Sequence, residues 1–424
     1  FGITSCIQSY TVGYLFVTGI RTAATTGNGI VSGFKIEHNT GKLYPIAGLP
    51  IGSGGSNPVR ALLLQSGRFL YVLNAGTTAS GGANCTTADP CSGGNITQFS
   101  IGGNGVLESQ QVFYSQGINP ERMIADASGA FIYVLDHDSP SSSSCALALG
   151  QGVTSCGDIT VFKADPTTGR LSLVLNAQVT SASGQQLAYF PVPANPIDFV
   201  LTTGNILTLS GTPATGDSVF PYSYSLSSGQ LTVTANGSQT LGISQATAIV
   251  NDSGTIYVLD NEGTLVTNGA TSQILPYSVG ANGALQAMTG GAVADDPAQS
   301  NPIFLVVEAP ARKWVYVANQ GNNLDPNNAQ SGIVGYVKDP STQQLSELAG
   351  GGFGSTVGTG AGPQCLVEDP SNQYIYTANY NDSSVTGRLI DQNSGVLTNL
   401  SGKANAAYPL DGPALWCVVS GRTS

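Results

Sequence analysis

Phe69-Leu70-Tyr71-Val72-Leu73-Asn74 is the stretch on which the fold turns, because six variants of it return along the chain. They are Tyr14-Leu15-Phe16-Val17-Thr18-Gly19, Phe131-Ile132-Tyr133-Val134-Leu135-Asp136, Ile206-Leu207-Thr208-Leu209, Ile256-Tyr257-Val258-Leu259-Asp260, Trp314-Val315-Tyr316-Val317-Ala318-Asn319 and Tyr374-Ile375-Tyr376-Thr377-Ala378-Asn379. Each is apolar, β-branched and aromatic and is bounded by Gly, Asn, Asp or Ser, which is the pattern of a buried strand. Copies spaced 50 to 74 residues apart mean a solenoid, an array or a propeller.

Three more strands accompany each copy. A Pro-led run precedes it through a tight turn, as in Pro58 to Leu64, Pro120 to Ala125 and Pro363 to Val367. After it come a variable loop and a third strand, such as Ile30 to Ile36, Ile159 to Phe162 or Ile333 to Val337. Turns such as Asn39-Thr40-Gly41-Lys42-Leu43 and Pro166-Thr167-Thr168-Gly169-Arg170-Leu171 then open a fourth. Four antiparallel strands in each of seven units make an all-β, seven-bladed β-propeller. The last Pro-led strand, from Pro413 to Val419, has no repeat strand after it, and the first repeat strand has no Pro-led strand before it. The C-terminal strand is therefore expected to complete the first blade and close the ring, which removes the open edges of the array. The expected organisation is an N-terminal arm, residues 1–12, followed by one propeller domain, residues 13–424.

Charged residues are only 9% of the chain, against about 25% in an average soluble protein. The formal net charge of −11 argues against nucleic acid and anionic membrane surfaces as partners, and no apolar run is long enough to span a bilayer. Of seven cysteines, Cys85 with Cys91 and Cys145 with Cys156 flank loops between second and third strands, where local disulfides are expected and an oxidising compartment is implied. Cys365 and Cys417 lie in the innermost strands of the last and closing blades and could staple the ring, leaving Cys6 for a bond to another molecule. Alternatively Cys6 pairs with Cys417 and Cys365 stays a buried thiol. Ile3-Thr4-Ser5-Cys6 also resembles the end of a lipoprotein signal. Two loops, Ala75 to Gly94 and His137 to Gly157, are swollen and should overhang the channel mouth.

Tyr316-Val317-Ala318-Asn319, the third strand Val31-Ser32-Gly33-Phe34 and the turns of Thr-Gly-x-Leu type resemble the repeat of lactonase-type seven-bladed propellers. That group includes 6-phosphogluconolactonase and the carboxymuconate-lactonising enzymes; the repeat is also similar to that of surface-layer propellers with Tyr-Val-Thr-Asn repeats. The resemblance runs from about Gly13 to Arg422 and implies lactone chemistry at the channel mouth, using His, Arg and acidic residues. The candidates by position are Arg60 and Arg122, two places after Pro58 and Pro120, Asp198 at the same place after Pro196, and His137 just beyond the blade-three repeat strand. Phe304, Cys365 and Leu415 are assigned that place in blades six, seven and one. A lactone hydrolase needs a base to activate water and a cation to hold the oxyanion, which His137, Arg60 and Arg122 can supply. The structural alternative is a salt-bridge set of Arg60, Arg122 and Asp198, with His137 hydrogen-bonded to its neighbours. His38, the other histidine, falls in an outer turn.

With so little charge, one placed histidine and a leftover Cys6, the function expected is a secreted or cell-surface, non-catalytic scaffold. It would self-associate into a homo-oligomer, filament or surface layer through its N-terminal arm and loops. The alternatives are a lactone hydrolase acting at the mouth and a carbohydrate- or peptide-binding module, with a glycan or small molecule as ligand there. No cofactor and no metal site is expected.

Overall fold

The computed structural model describes residues 10–21, 28–78, 91–92, 94–211, 216–261, 272–321, 331–353, 360–400 and 407–421. In these residues every repeat copy is the second strand of a four-stranded antiparallel sheet, and seven such sheets form the blades of a propeller. The repeat strands are buried along their length because blades cover both of their faces. The Pro-led runs are the innermost strands, as expected. The innermost strands of blades two to seven are Pro58–Leu63, Ile118–Ala125, Pro196–Leu201, Ala246–Asp252, Pro302–Val307 and Pro363–Glu368, of which Ala246–Asp252 alone has no proline. The C-terminal Ala414–Gly421 pairs with Thr11–Ile20 and so is the innermost strand of blade one.

Three of the blade boundaries are joined by one device, a turn of Thr-Gly-x-Leu or Ser-Gly-x-Leu type. The hydroxyl of the central tyrosine donates to the carbonyl of the turn glycine in the next blade, as in Tyr376 to Gly41 (2.6 Å), Tyr316 to Gly395 (2.7 Å) and Tyr71 to Gly169. The glycine is required twice over at Gly169. Its φ is +68°, and a Cβ there would stand 2.7 Å from the ring of Phe69. The outer edge of most blades is two short pieces against the third strand, such as Leu171–Leu173 and Phe190–Pro193 on Cys156–Ala164. An edge broken this way offers little for another chain to pair with.

Two disulfides are present among the described residues. Cys365–Cys417 ties the innermost strand of blade seven to the closing strand of blade one, and this settles the alternatives in favour of the ring staple. Cys145–Cys156 closes the blade-three insertion. That insertion differs from the plain loop read from its Ser- and Gly-rich sequence: Ser142–Leu149 is an α-helix, and the repeat strand runs on through His137 to Asp138. Cys6 and Cys85 lie outside the described residues, and with them the expected Cys85–Cys91 bond, the intermolecular role of Cys6 and most of the blade-two insertion. No helix of the described residues is long and apolar enough to cross a membrane. Disulfides of this kind persist in compartments more oxidising than the cytoplasm.

Candidate active site at the channel mouth

A β-bulge at one position of every innermost strand builds the site. The register slips between Pro58 and Arg60, Pro120 and Arg122, Pro196 and Asp198, Ala246 and Ala248, Pro302 and Phe304, Pro363 and Cys365, and Ala414 and Trp416. A bulge sets two residues of one strand opposite one of its partner, so two consecutive side chains leave on the same side. Val59 and Arg60 thus both line the channel, as do Leu415 and Trp416. This register corrects the closing blade: the equivalent of Arg60 there is Trp416, one place beyond Leu415.

The charged side of the mouth is made by blades two to four. Arg122 Nε lies 3.4 Å from Asp198 Oδ1, and Asp198 also accepts from the backbone N–H groups of Phe199 (2.9 Å) and Ile249 (3.2 Å). The carboxylate therefore fixes both the guanidinium and the adjoining strand. Arg60 stacks on the other side, its Cζ 3.8 Å from the Trp416 ring centroid, and Trp416 meets Phe304 edge-on at 5.2 Å. Among the described residues no carboxylate is within ion-pair distance of Arg60. Burial first, then the like charge of Arg122, lowers its pKa well below the usual guanidinium value. Of the expected three-membered salt-bridge set, then, Arg122 and Asp198 pair while Arg60 stands apart over an aromatic ring.

Glu121 is the residue that sequence reasoning missed. Simple alternation from Arg122 turns it away from the channel, but the bulge brings it into a mouth cleft of about 740 Å³ shared with Arg122, His137, Asn195, Asp217 and Ser244. Burial raises its pKa above the ordinary carboxylate value, although the charges of Arg122, His137 and Arg60 oppose the shift. His137 Nδ1 is 3.1 Å from Asp138 Oδ2, which also accepts from Asn119 Nδ2 at 2.8 Å. That contact puts the imidazole proton on Nδ1 and leaves Nε2 as the basic nitrogen. Beneath His137, Asp136 and Asp158 face each other across two strands, fully buried. Asp136 accepts from Ser115 Oγ at 2.8 Å, and burial pushes both carboxyls up, the charge of Asp136 adding to the rise at Asp158. Other blades fill this position with neutral partners, such as Asn74 Nδ2 donating to Asn95 at 2.8 Å.

Below the guanidiniums the channel changes character. The position two residues further along each innermost strand is aliphatic in all seven blades: Leu62, Ile124, Val200, Val250, Val306, Val367 and Val418. They line a cavity of about 570 Å³ that has Arg60, Arg122 and Trp416 at one end and Asn251 and Glu368 among its walls. His38 is remote from all of this and stacks on Tyr10, with centroids 4.3 Å apart.

The architecture is shared with solved structures along almost the whole chain. A 6-phosphogluconolactonase candidate from Bacteroides uniformis superposes with a TM-score of 0.66 at 12% identity, over 97% of this chain and 100% of its own. The periplasmic gluconolactonase of Pseudomonas aeruginosa gives 0.63 at 16% identity, over 97% and 99%. A second 6-phosphogluconolactonase candidate, from Bacteroides fragilis, gives 0.62 at 15%, over 96% and 98%. This chain has the lactonase-like propeller fold. No family model matches the sequence, and no curated protein does. The expected non-catalytic scaffold is overturned by these findings: these three full-length neighbours are described as gluconolactonases or candidates for that activity, and the mouth of this chain is lined by an acid, a histidine and two arginines rather than by inert polar groups.

Proposed function

We propose that the protein is a lactone hydrolase that works at the channel mouth, in a compartment more oxidising than the cytoplasm, a reading that the two disulfides support. The observation that carries this reading is the convergence of His137, oriented by Asp138, with Glu121 and Arg122 on one cleft. His137 Nε2 takes a proton from water as its oxygen adds to the lactone carbonyl. The oxyanion that forms is held by Arg122, whose guanidinium Asp198 has already oriented, and by Arg60. As the ring C–O bond breaks, Glu121, whose pKa burial raises, delivers a proton to the departing alkoxide. One lactone and one water give one hydroxy acid, and the two protonation states are restored through solvent.

The test is hydrolysis of glucono-δ-lactone and of simple γ-lactones, followed in a pH-stat. Arg122→Ala should lose about two to three orders of magnitude in kcat, and His137→Ala a factor of about 10² or more. Both variants hydrolysing at the wild-type rate, or no lactone being hydrolysed by the wild type, would refute the assignment.

A further inference from the structure

The mouth accounts for the chemistry, but not for the aliphatic belt beneath it. A channel that holds only water gains nothing from seven aliphatic side chains at one level, since water against such walls loses hydrogen bonds. A polyhydroxylated ligand in the same space would leave its hydroxyls unpaired. The belt begins one step below Arg60 and Arg122, and both guanidiniums line the same 570 Å³ cavity as the belt. Asp198 lines the same end and pairs with Arg122, so the guanidinium left outside an ion pair among the described residues is Arg60. That roof over a hydrocarbon wall fits an amphiphile, with a carbonyl or carboxylate at Arg60 and an apolar chain hanging past Trp416 into the belt.

We infer that the channel is a chain pocket, and that the substrate class is a lactone bearing an unbranched alkyl tail. This rests on the hydrolase reading for the chemical step, which is the water addition and ring opening already described. The hydroxy-acid product would keep its carboxylate on Arg60, whose charge no carboxylate of the described residues neutralises by an ion pair. Asn251 and Glu368 set the depth. They lie three residues beyond the level of the arginines, about 10 Å along a strand, and burial pushes Glu368 up to about 7. The tail should therefore stop gaining where these polar groups begin.

The experiment compares γ-valerolactone, γ-octalactone, γ-decalactone and γ-dodecalactone with glucono-δ-lactone as substrates, and separately titrates decanoate against the fluorescence of Trp416 in a Trp314→Phe background. Each added methylene should raise kcat/KM about fourfold, levelling off towards the dodecalactone. Val306→Asn should lower the ratio of kcat/KM for γ-decalactone over γ-valerolactone at least tenfold, and decanoate binding should weaken by a similar factor. Hydrolysis of glucono-δ-lactone with no gain from the alkyl tail would overturn the chain pocket and leave the hydrolase standing. Decanoate binding that Val306→Asn weakens, with no lactone hydrolysed, would uphold the pocket and remove the hydrolase. Neither binding nor hydrolysis would overturn both.

Discussion

Removing the Cys365–Cys417 bond by a Cys365→Ala/Cys417→Ala double substitution should destabilise the ring by about 4 kcal/mol. The bond joins residues 52 apart in sequence, and the loop-closure entropy that a crosslink of this span removes from the unfolded chain corresponds to that figure at 25 °C. Its position adds a structural consequence. Cys417 sits in the closing strand, which reaches its blade only by pairing with Thr11–Ile20 at the far end of the chain. Without the crosslink that strand is held by its ladder and by its packing alone, so it should detach before the rest of the propeller unfolds. The assay is urea unfolding monitored by far-UV circular dichroism and by tryptophan fluorescence in a Trp314→Phe background, where Trp416 reports the closing strand. For a urea m-value of about 3 kcal/mol/M the midpoint should fall by about 1.3 M, with the fluorescence transition preceding the dichroism. A shift below about 0.3 M, with the two probes coincident, would refute the staple.

Tyr376→Phe deletes the hydroxyl that reaches Gly41 across the blade boundary and should cost about 1 kcal/mol, read from the same urea curves. Asp158→Asn tests the buried carboxyl pair. Asp136 is pushed up to about 7 and Asp158 well above its ordinary value, so the folded state binds more protons than the unfolded one. The stability they contribute is thus full below the unfolded carboxylate pKa of about 4 and lost as pH rises towards 7. The asparagine variant should flatten that loss and be the more stable protein at pH 8; a steeper loss would contradict the raised carboxyl pair. Glu121→Gln should remove the alkaline limb of the kcat profile, because an acid that must stay protonated loses activity as pH rises through its raised pKa. An unchanged alkaline limb would exclude Glu121 as the proton donor.

How much of this was legible in advance follows from the range over which each feature is specified. The repeat strands, the turns and the ring closure are local patterns. A run such as Phe69 to Asn74, with Ser66-Gly67 before it and Ala75-Gly76 after it, commits the backbone to a buried strand whatever lies elsewhere, and seven copies leave a propeller as the consistent solution. The positions of Arg60, Arg122 and Asp198 on the channel wall were readable in the same way, from their distance to the leading proline. The scaffold reading failed because it counted charges over the whole chain, whereas the chemistry depends on a few charges gathered at one mouth. Glu121 and Trp416 were not readable, because a bulge exists only in the pairing of two strands and leaves no mark in either alone. The same holds for the Asp136–Asp158 pair, which is 22 residues apart and adjacent only across the ladder. Sequence by itself determined the strands, their number and the order in which they close, because these are set by side-chain periodicity and turn stereochemistry within a few residues. Only the tertiary structure decided which side chains share the channel, since that depends on the register in which strands pair, across a hairpin at Glu121 and between the two ends of the chain at Trp416.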